Sequence, residues 1–411
     1  METLDDNNLT FVIRCQRIIN TIYDYLDTKE VGNMRLMCKR SKILATKSLL
    51  KKMNVTKRHF IIENDKDFFD KNIFVEKNKI SKIRIKMFNK KLEYIDSYEH
   101  INDVSIINGA FRTFHRIDDA FTNITTLTIS CNTIEIRKLA NLKDLQRLSI
   151  TADFIIDIKK ITLLTNLKKI KIDSQRSFID LKKFKGCKSL THLYISDRTW
   201  SSPIASIESD TIINLTLEDC NYQSITILPK NLTSFKCIDS VFVPKLCTLP
   251  TSLKHLSLGY VNHKIEGLED CDLKSLTIKC ILNTNLPKIP TSIERFNVRL
   301  RDCGLLDDVF YKDEKYINLK SLTLEFINDI KDIGKFVNLR SLKVTYLSNL
   351  VAPVINNKYL TDVEILGGMI SSFDFLQGVK SLRRLTIPAK YDILENCDVF
   401  SKNKDLLIYK V

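Results

Sequence analysis

A six-residue frame of the form L-x-x-L-x-L, with any apolar residue admitted at the L positions, recurs along most of the 411 residues. It begins at Ile80, Ile101, Ile124, Leu145, Leu167, Leu190, Ile212, Leu232, Leu253, Leu273, Ile293, Leu319, Leu339, Leu360, Leu382 and Leu406, sixteen starts in all. Their mean spacing is about 21.7 residues, a period that points to a repeat array rather than a single compact core. "LQRLSI" (145–150), "LKHLSL" (253–258), "LKSLTL" (319–324) and "LRSLKV" (339–344) are typical copies. If a copy starts at residue n, an extended chain turns n+3 and n+5 to the side that n also faces, and turns n+2 and n+4 away. One such turn cannot bury its own apolar row, so each must stack on the next, with the strands forming a parallel sheet. The short period leaves little room for long helices on the opposite side, where extended or short 3₁₀ segments are expected.

The frame and its period resemble those of leucine-rich-repeat proteins. The resemblance implies an α/β solenoid over 80–411, of about sixteen short turns with the parallel sheet on a concave face. That family places Asn or Cys three residues after the hexad, where Asn132 and Cys220 fit but Gln175, Ser240 and Lys390 do not. Three central copies carry proline ahead of the hexad, at Pro229, Pro250 and Pro290, where a fixed φ and a missing N–H suit a turn leading into a strand. "LPTSLKHLSLGYVNHKI" (249–265) is similar to the FNIP repeats of amoebae. The gap from Ile293 to Leu319 is wider, and "CGLLDDVFYKDEKY" (303–316) is expected to form a longer loop or helical turn.

Ahead of the repeat, Val12, Cys15, Ile18, Ile19, Ile22, Tyr23 and Leu26 follow helical three-and-four spacing. Asp27 or Thr28 can cap a second helix that carries Val31, Met34, Met37 and Cys38. "RIINTIYDYLDTKEVGNMRLMCKRSKILA" (17–45) resembles an F-box, although the family's opening Leu-Pro falls here at Arg14-Cys15. This implies an all-α module over 1–52 and a junction over 53–79. It also implies that Ile18, Ile19, Ile22, Tyr23, Leu26, Val31, Met34, Met37 and Cys38 meet the adaptor of a cullin-type ubiquitin ligase. The alternative is that these helices only cap the solenoid.

Elementary counts narrow the function classes. The eleven cysteines are scattered and form no CxxC pair, which fits reduced, buried thiols in a cytoplasmic or nuclear protein better than disulfides or a zinc site. No apolar run is long enough to span a bilayer. Glycine-rich phosphate loops, GxSxG, HExxH and kinase signatures are all missing, and the acid pairs Asp118-Asp119 and Asp307-Asp308 read as solvated loops. Neither an enzyme nor a cofactor is expected.

The formal net charge is +15, and Asn33 to Lys91 holds 18 Lys or Arg against five acids. Such a cluster favours an acidic protein surface, with RNA or an anionic membrane as the competing reading. Outward repeat positions lean the same way. They supply the candidate partner-binding residues Lys82, Arg84, Arg147, Lys169, Lys171, His192, Tyr194, Lys236, His255, Arg295, Lys343 and Arg384. Tyr and Arg dominate binding hot spots, so Tyr194, flanked by Lys169, Lys171 and Trp200, is the expected centre. Nucleic acid is disfavoured because the aromatics fall mainly on inward positions such as Phe235 and Phe296 rather than alternating with cations. "LLIYKV" (406–411) reads as a last strand whose open edge could self-associate.

Overall fold

The computed structural model describes residues 59–63, 82–87, 102–108, 123–199, 205–220, 224–238, 245–246, 248–261, 265–281, 288–300, 310, 314–325, 335–350, 357–370, 376, 379–390 and 405–411. Two compact units divide the chain, Met1–Leu167 and Lys168–Val411. In the first, five strands pair in sequence order, all parallel: His59–Glu63, Lys82–Met87, Asp103–Asn108, Thr126–Glu135 and Arg147–Ile156. The second stacks twelve more in the same way. They are Lys169–Ser174, His192–Asp197, Asn214–Glu218, Ser234–Ile238, His255–Val261, Ser275–Ile281, Arg295–Leu300, Ser321–Glu325, Ser341–Val344, Asp362–Ile365, Arg384–Ile387 and Leu407–Lys410.

Strand register follows the apolar frame. Phe235, Leu256, Leu276, Phe296, Leu322 and Leu342 sit opposite one another through successive strands, and Cys237, Leu258, Ile278, Val298, Leu324 and Val344 form a second inward row. All of these side chains are buried, each contributing on the order of 1.5–3 kcal/mol relative to exposure. A backbone ladder locks the phase. The N–H groups at n+1 and n+2 both donate to the carbonyl at n+1 of the preceding turn, as Ile213 and Asn214 do to Thr191 (3.0 and 3.1 Å). Lys320 and Ser321 repeat this on Glu294 (2.8 and 3.1 Å).

The chain turns into each strand through a second recurring bond, from the N–H of residue n to the carbonyl of n−3. Leu232 uses Pro229 (3.2 Å), Leu253 uses Pro250 (3.0 Å) and Ile293 uses Pro290 (3.3 Å), so the three prolines contribute a carbonyl where their missing N–H costs nothing. Just before the hexad, Asn166, Asn231, Asn318 and Asn338 donate from Nδ2 to carbonyls of the previous turn, and Ser252, Ser292 and Ser381 do so through Oγ.

Opposite the sheet the chain makes short 3₁₀ turns, Ile136–Leu139, Ile158–Leu163 and Leu181–Phe184, and short strands. Ala205–Ser206, Ser224–Ile227 and Lys245–Leu246 pair in parallel, as do Leu347–Leu350 and Gly368–Ile370. Gly267, at φ +75°, turns where a Cβ would come within 2.8 Å of Thr248 Cγ2 and 3.2 Å of the Leu249 nitrogen.

The architecture differs from the α/β class that the repeat implied. No α-helix occurs among the described residues, and each unit is an all-β parallel solenoid. Connectors of this length close at most a 3₁₀ turn, and those rich in β-branched residues, as in "SITI" (224–227), stay extended. The recognition of a repeat protein carrying an F-box-like helical module falls with that class. The module over 1–52 and its adaptor-contact residues Ile18, Ile19, Ile22, Tyr23, Leu26, Val31, Met34, Met37 and Cys38 lie outside the described residues. Two details of the repeat also differ from expectation. A strand at His59–Glu63, in the segment read as a junction, pairs with Lys82–Met87 ahead of the sixteen starts. At the last copy the register places Leu407 opposite Arg384 and Ile408 opposite Leu385, one residue earlier than the hexad from Leu406 implies.

Candidate functional site

Pairing in the second unit sets the outward side chains in two parallel rows. One runs Lys169, His192, Asn214, Ser234, His255, Ser275, Arg295, Ser321, Ser341, Asp362, Arg384. The other runs Lys171, Tyr194, Thr216, Lys236, Ser257, Thr277, Asn297, Thr323, Lys343, Glu364, Thr386. Neighbouring strands lie about 4.8 Å apart, so Lys169 and Arg295, six steps removed, are separated by roughly 29 Å. The candidate cations therefore share a face without forming one patch. Between them lies a lane of Ser, Thr and Asn. Arg147 is exposed on the outward side of the first unit, and Lys82 and Arg84 occupy strand positions there whose side chains lie outside the described set.

Lys169, Lys171, His192 and Tyr194 do come together. The Lys171 ammonium sits 4.7 Å from the centre of the Tyr194 ring. The Tyr194 hydroxyl donates to Glu218 Oε2. Partial burial, followed by the Glu218 hydrogen bond and the charges of Glu218, Asp173 and Asp219, pushes the phenol well above its usual range, so it remains a donor. Across the other row, Asn214 Nδ2 lies 3.0 Å from His192 Nε2, Thr191 Oγ1 lies 2.9 Å from His192 Nδ1, and Thr191 Oγ1 donates to Lys168 O at 3.1 Å. This chain of donors fits a neutral imidazole protonated on Nδ1. Desolvation and the nearby Lys169 charge lower the His192 pKa in the same sense. Arg198 Nε pairs with Asp219 Oδ2 at 3.2 Å beside the cluster. Trp200, expected to flank Tyr194, lies outside the described residues.

The far end of the face is neutralised internally. Lys343 Nζ lies 2.8 Å from Glu364 Oε1, and Arg384 Nε 3.5 Å from Asp362 Oδ1. Lys236, His255 and Arg295 are exposed in mid-lane. Sequence reasoning missed Glu218 and Asn214. Glu218 stands at n+6, where the alternation continues past the hexad for another outward position, and that continuation was its signal.

The turn-side positions behave differently from the expected asparagine ladder. Asn132 Nδ2 donates to the Asp153 carboxylate at 3.1 Å, while the buried Cys220 thiol donates to Glu218 O (3.2 Å) and Ile195 O (3.6 Å). Lys390, a departure from the ladder, nonetheless reaches Gly368 O at 3.2 Å. Elsewhere a hollow of about 440 Å³ is lined by Glu269, Asp270, Asp272 and Glu314. Lys254 and Lys274 hydrogen-bond the Asp272 carboxylate and hold it below its ordinary range. Among the described residues no three His, Cys, Asp or Glu side chains are placed to hold a metal, and no helix is long and apolar enough to cross a membrane.

No protein-family model matches the sequence, and no curated protein does. Solved structures do. TLR13 in its ssRNA13 complex aligns with a TM-score of 0.53 at 13% identity, over 89% of this chain and 58% of that one. A leucine-rich-repeat protein of Leptospira interrogans gives 0.42 at 15% identity, over 75% and 84%. CroV588, a circular leucine-rich-repeat protein, gives 0.40 at 13%, over 87% and 70%. The first of these establishes a likeness of fold, a stack of short repeats.

Proposed function

We propose that this chain is a non-catalytic recognition solenoid that binds a protein partner presenting an acidic surface to the outward sheet face of the unit Lys168–Val411. The observation that carries the reading is Tyr194. Its ring lies under the Lys171 ammonium and its hydroxyl is tied to Glu218. A large amphipathic ring already fixed in place loses little freedom on binding, which is what a hot-spot anchor requires. The exposed Lys169 and Lys171 beside it, with Lys236 and Arg295 further along, offer cations to an acidic partner. Lys343 and Arg384 contribute less, because a partner carboxylate must first displace Glu364 or Asp362. The Ser, Thr and Asn lane supplies donors and acceptors along the face, which suits holding a surface.

The test is affinity capture with the full chain, followed by titration of whatever partner is recovered. Tyr194→Ala, with unchanged thermal unfolding, should weaken that partner at least tenfold, and Lys343→Ala should change it less than about twofold. Equal binding by wild type and Tyr194→Ala refutes the assignment.

A further inference from the structure

The rim where the chain enters the strands carries a second surface, independent of the Tyr194 face. Two residues before the hexad, most described turns place a polar side chain: Lys143, Thr165, Lys188, Asp210, Lys230, Thr251 and Thr291. At two consecutive turns that position is apolar, Ile317 and Val337, exposed by 54% and 39%. Lys358 holds it in the next turn, with Tyr359 beside it 53% exposed. Stacking makes these tips neighbours. Asn338 Nδ2 donates to Ile317 O and Asn357 Nδ2 to Phe336 O, both at 2.7 Å. Nothing in the fold requires an aliphatic side chain at a turn tip whose counterparts are Lys or Thr.

Cations border this strip. Arg340, Lys358, Lys380 and Arg383 are exposed and form no ion pair with a described residue. The backbone ladder from Arg340 through Thr361 to Arg383 sets them on successive turns. Lys320, in the first of the four turns, is instead held by Glu294 at 2.8 Å. Acids gather on the Ile317 side of the strip, where Glu314 lines a hollow with Glu269, Asp270 and Asp272 beside Thr291 of the preceding turn, and Asp272 is paired with Lys254 and Lys274. Towards the other end Asp362 is engaged by Arg384 and Thr361, so the uncommitted charge lies on the Arg340-to-Arg383 side. The strip therefore covers four turns, about 14 Å along the stack, with apolar tips among uncommitted positive charges.

We infer that this rim docks on an anionic membrane surface. The apolar tips and the Tyr359 ring enter the headgroup layer, as amphipathic aromatic side chains do at such interfaces, and the four cations meet lipid phosphates and carboxylates. The contrast with Tyr194 favours lipid over protein. There, hydrogen bonds fix the charged groups in advance, as a specific protein contact needs. Here the long Arg and Lys side chains are unfixed, and mobile lipid headgroups can move to meet them.

Co-sedimentation of the full chain with phosphatidylserine-containing vesicles, against pure phosphatidylcholine, tests this. Binding should be confined to the anionic vesicles and fall with salt. Arg340→Gln with Arg383→Gln should reduce partitioning about 25-fold, roughly fivefold per charge. Ile317→Ser with Val337→Ser should reduce it at unchanged net charge, and thermal unfolding of both exposed-site variants should match wild type. Equal binding to neutral vesicles, no binding to anionic ones, or binding that survives both double substitutions overturns the inference. Preferential binding of polyglutamate over vesicles overturns it in favour of an acidic protein.

Discussion

Asn357 is 3% exposed and clasps two turns together. Its Nδ2 donates to Phe336 O at 2.7 Å, and its Oδ1 accepts from the Tyr359 N–H at 2.8 Å. Substitution by Leu keeps the heavy-atom count and the branch at Cγ and removes both bonds. Phe336 O retains the Leu339 N–H (3.0 Å), so that side loses about 1 kcal/mol, a typical net hydrogen bond. The Tyr359 N–H loses its side-chain partner in a partly buried position, which adds about 1–2 kcal/mol. The total, about 2–3 kcal/mol, contrasts with Asn318→Ala. The Asn318 bond to Thr291 O is exposed and 3.3 Å long, and water replaces it for under about 0.5 kcal/mol. Urea unfolding followed by circular dichroism, at constant m, measures the pair. A destabilisation below 0.5 kcal/mol for Asn357→Leu, or equal effects at both sites, would refute the claim that side-chain clasps between turns hold the stack.

Phe310 packs edge-on against Phe296 (5.6 Å), Tyr316 (4.7 Å) and Phe336 (4.8 Å), and Phe310→Ala should cost about 3–5 kcal/mol in the same assay. His192 has a lowered folded-state pKa, so its contribution to stability is full above the unfolded value near 6.5 and declines as pH falls through that value towards the folded one. His192→Gln should flatten the slope of stability against pH between about 7 and 5, and an unaltered slope counts against the neutral, hydrogen-bonded ring. Burial pushes the Cys131 and Cys187 thiols up to about 12 and about 11, so neither should be alkylated by iodoacetamide at neutral pH until the chain is unfolded. Rapid labelling of either in the native protein contradicts their place in the core.

Most of the stacking could be read in the residues themselves, because a parallel stack repeats its burial with every turn. The hexads from Ile101 to Leu382 all bury n+3 and n+5, and the strand pairs within each unit keep that register. Where the period ends, so does the reading. At "LLIYKV" every residue from 406 to 409 could be an inward position, and only pairing with Arg384–Ile387 settles the phase. The clasp of Asn or Ser just before the hexad, as at Asn231, Ser252 and Asn338, recurs with the period and is equally legible in the sequence. The connectors also follow from the short period, which predicts extended or 3₁₀ segments opposite the sheet, and both occur there. Tyr194 could be picked as an outward aromatic. Its partner Glu218 is legible only as an outward n+6 position, and that the two side chains meet across 24 residues follows from the strand pairing.

Pairs of spin labels on one outward row measure the stack directly. With one label at Ser234 and the second moved to Ser341 and then Arg384, five and seven strand steps away, the separation should rise from about 24 Å to about 34 Å. A steady gain near 4.8 Å per turn is the result that parallel stacking demands. Distances that fail to grow from one turn to the next would contradict it.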